Sequence, residues 1–189
     1  MTRNSKVLFV GDICLNGIYE KMYLNDEKPF TAFSSKIEKD TLVVGNLECF
    51  SRGDNGVNEP KIPRLETSLE TLNYLNDIKL NVACLANNHV FDHLEDGFEK
   101  TVKFLSKNNI KTIGASIDKN KFSKPLIIKE NGIKICLLNY VTRDTNPKQP
   151  KGTAINLNWF DLNNTINEIK QLRDKVNHIV VSIHWGGRV

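Results

Sequence analysis

The sequence predicts an α/β fold with central mixed β-sheet(s) flanked by helices, on three observations. Short apolar runs alternate with segments of helical period, the pattern of strands connected through helices. The pair Asn131-Gly132 lies between two apolar runs, and both residues tolerate the positive φ angles of a type I′ hairpin turn. Polar clusters follow directly on four of the predicted strands, as they do at the carboxyl edge of an open α/β sheet.

Taken in order, Lys6 to Gly11 reads as the first strand, a helix around Phe30 to Glu38 follows, and Thr41 to Gly45 is the second strand. Phe50 to Pro63, rich in Gly, Asn, Asp and Pro, is expected as a loop. Thr67 and Glu70 offer a capping box for a helix reaching Asn76, because each side chain can satisfy a backbone N–H of the first turn. Val82 to Ala86 is the third strand. Leu94, Phe98, Val102 and Leu105 then recur at helical spacing and form a core-facing stripe. Ile110 to Gly114 is a short strand, and Pro125 to Lys129 with Ile133 to Tyr140 form the hairpin, which is expected to add antiparallel strands to the crossover-connected sheet. Asp161 caps a helix running to about Lys175, and His178 to His184 is the last strand. Neither an internal repeat nor a domain linker interrupts the chain, so 1–189 reads as a single domain.

Bulk properties narrow the function. With 189 residues, 40% hydrophobic and 25% charged, the chain has the apolar material for one substantial core. Its net charge of +4 arises from 26 basic and 22 acidic residues, mixed along the chain and not gathered into a block, so no nucleic-acid-binding surface is implied. No run is long and apolar enough for a signal peptide or membrane span, and Met1-Thr2 reads as an initiator pair. Cys14, Cys49, Cys84 and Cys136 form no CxxC pair and sit mostly in apolar surroundings, so they are expected as free thiols. These features together point to the cytoplasm.

Chemistry concentrates in Gly11-Asp12, Gly45-Asn46-Leu47-Glu48, Asn87-Asn88-His89 and His184-Trp185-Gly186. Strand ends converge on one sheet edge, so four distant segments can supply one site. Carboxylates, imidazoles and carboxamides together suit a divalent cation such as Zn, Mn or Mg. Each cluster alone reads equally as a polar turn; their joint placement argues for a site. Asp92 is placed to hold His89 in one tautomer, whereas His93 reads as a solvated or capping group and His178 lies away from the crevice.

Val10-Gly11-Asp12, Gly45-Asn46-Leu47-Glu48, Leu85-Ala86-Asn87-Asn88-His89-Val90-Phe91-Asp92 with Gly97, Ile113-Gly114-Ala115 and Val181-Ser182-Ile183-His184-Trp185-Gly186 occur in that order. In this the chain resembles the bacterial capsule-synthesis, poly-gamma-glutamate (CapA-type) proteins nearly from end to end. The resemblance implies a calcineurin-like metallophosphoesterase sandwich. It implies Asp12, Glu48, Asn88 and His184 as ligands of one or two divalent ions, and His89, with Asp92, as the catalytic group beside the leaving group. The expected activity is metal-dependent hydrolysis of a phosphate ester in capsule, polysaccharide or poly-gamma-glutamate biosynthesis. The partners it implies are a cell-surface polymer or its phosphorylated precursor and polymer-synthesis proteins; a non-catalytic, polymer-binding accessory role is the alternative. Phosphoesterases carry Asp-x-His in the first motif where this chain has Asp12-Ile13-Cys14, and family members continue beyond His-Trp-Gly to a Gly-x-His-x-His segment. The chain is therefore expected to be a C-terminally truncated or short form of the domain.

Asn46, beside Glu48, is a candidate for substrate binding, as are Arg52 and Arg64 in the loop that follows. Arginine suits bidentate contact with phosphate or carboxylate, and loops on a rigid scaffold carry function. Arg143 and Lys148, after the hairpin, are similar candidates.

Overall fold

A computed structural model describes residues 4–186, which leaves the Met1-Thr2 pair and the final three residues outside the described part. Its elements in chain order are β1 (Lys6–Ile13), α1 (Ile18–Leu24), α2 (Thr31–Ser34), β2 (Thr41–Leu47), β3 (Phe50–Ser51), β4 (Glu66–Thr67), α3 (Tyr74–Asp77), β5 (Val82–Cys84), α4 (Leu94–Lys107), β6 (Lys111–Ile113), β7 (Ala115–Ser116), β8 (Leu126–Glu130), β9 (Ile133–Val141), β10 (Asn156–Leu157), α5 (Leu162–Leu172) and β11 (His178–His184).

Two sheets carry the site. The first is all parallel, in the order β1-β2-β5-β6; the second, β11-β9-β8, combines a parallel pair with the hairpin. Period-two alternation explains how they stack. In β2, Leu42 and Val44 face one way and join Val82, Cys84 and Ile113 of the first sheet and Ile135 and Leu137 of β9 in one apolar cluster between the sheets. Val43 and Leu47 face the other way and pack with Leu72, Leu75, Phe98 and Leu105 from the helical layer. On the far face of β9, Cys136, Leu138 and Tyr140 receive Leu172 and Ile169 of α5. The result is a β-sandwich between helical layers. No described helix is long and apolar enough to cross a membrane.

The hairpin prediction holds locally and fails globally. Asn131 and Gly132 take φ of 50° and 77°, but β8 and β9 found the second sheet and do not extend the first. Both faces of β9 are buried, which sequence alternation cannot distinguish from a central strand of a single sheet. The predicted Phe30 to Glu38 helix shrinks to the one-turn α2, while α1 was not foreseen. The capping box at Thr67 does not form: Thr67 lies in β4 with its hydroxyl donated to the Leu15 carbonyl, and Ser68 Oγ accepts the Thr71 N–H at 3.1 Å instead. Asp161 caps α5 as expected, accepting the Asn164 N–H at 2.8 Å. His93 is buried at 2% exposure and caps nothing with its side chain, so the solvated reading is corrected. All four cysteines are free.

Candidate metal centre

The carboxyl ends of β1, β2, β5 and β11 meet at one edge of the sandwich. Asp12 and Asn46 are register partners across β1 and β2, Asn46 pairs with Cys84 of β5, and His184 closes β11. Gly11, with φ of 70°, lies within the register shift between Phe9 and Asp12. Asp12, Glu48 and His184 each offer a ligand atom, and these atoms all lie within 4.8 Å of one another.

Orientation of this cluster can be traced from fixed backbone groups. Buried Asn87 accepts the His89 backbone N–H on Oδ1 at 3.0 Å, so its Nδ2 must be the donor to the Leu47 carbonyl and to Asn46 Oδ1. That leaves the Asn46 amide nitrogen turned to the cluster, 2.8 Å from Asp12 Oδ1, 3.1 Å from Glu48 Oε1 and 3.1 Å from His184 Nδ1. His184 Nδ1 is then an acceptor, and Nε2–H donates to Asn88 Oδ1 at 3.2 Å. Asn88 thus sets the His184 tautomer and presents the other ring nitrogen to the two carboxylates, as groups behind metal-bound histidines commonly do.

Three acceptors therefore face two N–H protons of Asn46, a shortage of positive charge that a divalent cation would relieve. The electrostatics agree. Burial, and then the neighbouring Asp12 charge, push the Glu48 carboxyl above its ordinary range. Burial likewise lowers the His184 pKa, which keeps the ring neutral and its lone pair available.

His89 is 7% exposed, with Nδ1 2.7 Å from Asp92 Oδ2. Asp92 is fully buried and the same oxygen accepts the Leu65 N–H at 2.7 Å, so His89 Nδ1 carries the proton of this hydrogen bond. The His89 backbone N–H is held by Asn87 Oδ1, and Asn87 Nδ2 donates to Asn46 Oδ1, so two hydrogen bonds tie His89 to the cluster.

Both arginines are engaged by partners outside the Asp12, Glu48 and His184 cluster. Arg52 is held by Glu20 at 2.8 Å and Glu66 at 3.2 Å, and Arg64 donates to the carbonyls of Asn58, Glu59 and Lys61 within its own loop. Arg143 stacks over Trp159 at 4.4 Å, and Lys148 accepts from Asn58 through its carbonyl. Lys61, the third cation of the Arg52–Arg64 loop, differs from the two arginines in its burial: it is 4% exposed. A loop rich in Gly, Asn and Pro gives no periodic signal of burial; the prolines flanking Lys61-Ile62, which restrict the backbone there, are the available hint. Cys14, at the first-motif position of the phosphoesterase histidine, lies outside the three-residue cluster among the described residues.

Stacked sheets with oxygen and nitrogen donors at their strand ends define a metallophosphoesterase-like fold, and solved structures share it. A 5′-nucleotidase precursor from Thermus thermophilus superposes with a TM-score of 0.54 at 16% identity, covering 96% of this chain and 37% of its own. Haemophilus influenzae NAD nucleotidase gives a TM-score of 0.55 at 17% identity, covering 96% and 34%. At these identities the likeness shows the fold alone. Residues 6–189 match the family described as bacterial capsule synthesis protein PGA_cap, and the chain belongs to that family. A curated relative, the PGA biosynthesis protein CapA of Bacillus subtilis (strain 168), is 26% identical over 184 residues, which are 94% of this chain and 48% of the relative. The chain thus spans about half the length of the relative it matches.

Proposed function

We propose that this chain provides the metal-binding half of a phosphoesterase-type hydrolase acting in capsule, polysaccharide or poly-gamma-glutamate biosynthesis, on a cell-surface polymer or its phosphorylated precursor. The observation that carries the reading is the convergence of Asp12, Glu48 and His184 within 4.8 Å, oriented by Asn46 and Asn88. These residues would hold a divalent ion (Mn, Zn or Mg), with the Asn88 carboxamide beside them. Such an ion, when bound, polarises a phosphoryl oxygen and lowers the pKa of a water molecule. The protein's own part is to hold the ligands and to move a proton. With Nδ1–H donated to Asp92, His89 keeps Nε2 out of that bond, and in the imidazolium form, which carries a second proton there, Nε2–H would give its proton to the departing oxygen and return to the neutral ring. Asp92, buried and hydrogen-bonded to the loop, keeps the ring in that orientation.

Cys14 in place of a first-motif histidine favours the second reading, an accessory protein that uses the same crevice to hold polymer without turnover. Free cysteines support a reducing, cytoplasmic setting for either role. The test is an aryl-phosphate assay on protein prepared without chelator, with Mn or Zn added. Turnover that requires the metal and falls at least tenfold in Asp12→Asn supports the enzyme; stoichiometric metal without turnover supports the accessory role.

A further inference from the structure

We infer that the chain carries a second binding site, for a neutral saccharide, in a cavity of about 530 Å³ between α5 and the chain around β10. No residue of the Asp12, Glu48 and His184 centre lines this cavity, so the site goes beyond the metal-centre reading and does not depend on it.

The first two turns of α5 point to it. A helix packed on a sheet turns an apolar stripe inward, and α5 does so at Ile169 and Leu172. Before those residues the pattern inverts. Asp161, Asn164, Thr165 and Glu168, at helical spacing, line the cavity, while Leu162 and Ile166 are left at the surface, 61% and 40% exposed. Positions that break a local folding rule in this way are where natural proteins carry function. The fold does not use up the inverted groups. Tyr140 of β9 donates its hydroxyl to Glu168 Oε2 and so engages one of the two carboxylate oxygens. Asn164 gives its backbone N–H to the Asp161 cap, and its carboxamide stands at the cavity. Thr165 is 5% exposed, and its hydroxyl has no hydrogen-bond partner among the described residues. A buried hydroxyl left unmatched at a cavity wall costs free energy until a ligand completes its bonding.

The rest of the lining sets the class of ligand. Phe122 and Trp159 contribute aromatic surface, which suits the C–H faces of a sugar ring. Carboxamides and carboxylates beside them match hydroxyl groups, which both donate and accept. No lysine or arginine lines the cavity, whereas Asp161 and Glu168 do, so a phosphorylated or carboxylated ligand would meet like charge with no cation to pair it. A few convergent polar groups on a partly aromatic wall, at this volume, is the make-up of a small-molecule site. An uncharged, hydroxyl-rich ligand satisfies all of these features.

Amide-resolved NMR titration of metal-free protein tests the site, with maltotriose and triacetylchitotriose as uncharged probes and trigalacturonate as the anionic counterpart. At least one uncharged trimer should bind with a millimolar Kd and shift the Asn158, Trp159, Asn164 and Thr165 amides together, and trigalacturonate should bind about tenfold more weakly or worse. Asn164→Ala, at an exposed position, should weaken the uncharged trimer by roughly twofold to tenfold, the loss of one neutral hydrogen bond. Glu168→Gln keeps an acceptor for Tyr140 and should narrow the gap between uncharged and anionic trimers, which a merely structural Glu168 would leave unchanged. The assignment is overturned if neither uncharged trimer shifts these amides, if trigalacturonate binds as tightly, if the gap survives Glu168→Gln, or if only the deacetylated, cationic chitotriose binds. Because no metal is present, failure here leaves the metal-centre reading standing, and failure of Mn to bind at Asp12, Glu48 and His184 leaves this one.

Discussion

Replacing His89 with alanine is expected to cost about 3 kcal/mol of stability and to lower the melting temperature by about 10 °C. From sequence, His89 and Asn88 look like crevice residues whose removal would matter to the site and change stability by no more than roughly 1 kcal/mol. The structure keeps that expectation for Asn88, which is only partly buried, and revises it for His89. Asp92 is fully buried, its Oδ1 already has no hydrogen-bond partner among the described residues, and His89 supplies one of the two bonds to Oδ2. Deleting the imidazole leaves a buried carboxylate short of donors, and the cost is the desolvation of that group. Because Asp92 also clamps both sides of the loop around Lys61, through the Asn58 and Leu65 N–H groups, part of the loss should register as faster exchange of the Leu65 amide. Denaturant unfolding of His89→Ala beside Asn88→Ala checks this; equal, small effects in the two would contradict it.

Gly114→Ala should destabilise by a comparable amount, about 3 kcal/mol, through a different cause. A Cβ at this position would stand 2.1 Å from Asn139 Oδ1 and 2.8 Å from the Ala86 nitrogen, in a backbone with φ of +93°. Those two atoms are hydrogen-bonded to each other at 2.8 Å, tying β9 of the second sheet to the segment that follows β5 in the first. The added methyl cannot be accommodated without breaking that bond, and Ala86 leads directly into Asn87-Asn88-His89. Gly56 has a similar φ of +95° with open space around it, so Gly56→Ala reports the conformational cost alone, about 1 kcal/mol. Thermal unfolding of the pair separates strain from steric overlap; equal losses would show that Gly114 is needed only for its φ.

Much of the site could be read before the fold was known, because its residues lie at strand ends, and strands announce themselves by apolar runs. Asp12, Asn46, Glu48, Asn87, Asn88 and His184 all follow such runs, and the His89–Asp92 spacing signals their contact. The two-sheet division was not legible: Leu42, Val43 and Val44 are all apolar, so nothing in β2 states that alternate residues serve different layers. Roles within the site were also hidden. Asn46 and Asn88 reveal themselves as orienting groups only through hydrogen bonds traced back to the His89 amide and the Leu47 carbonyl. Arg52 and Lys61 are indistinguishable as loop cations until burial sets them apart, with Arg52 exposed and Lys61 enclosed.

The central claim is that Asp12, Glu48 and His184 form a divalent-metal centre, and calorimetric titration of Mn into wild type and Glu48→Gln tests it directly. Ligands must be deprotonated to bind metal, so wild-type affinity should rise from pH 5 to pH 8 as Glu48, whose pKa is raised, and His184, whose pKa is lowered, lose their protons. Glu48→Gln should bind Mn at least tenfold more weakly at pH 8. Without metal the same variant should be more stable than wild type at neutral pH. The folded state holds the Glu48 proton more tightly than the unfolded chain does, so the stability this group contributes at low pH is lost as pH rises through its raised pKa. The advantage of Glu48→Gln should therefore shrink on acidification. Tighter Mn binding at higher pH by wild type, lost in a variant that is itself more stable when metal-free, is the predicted result; equal Mn binding by the two proteins, or none by wild type, would contradict it.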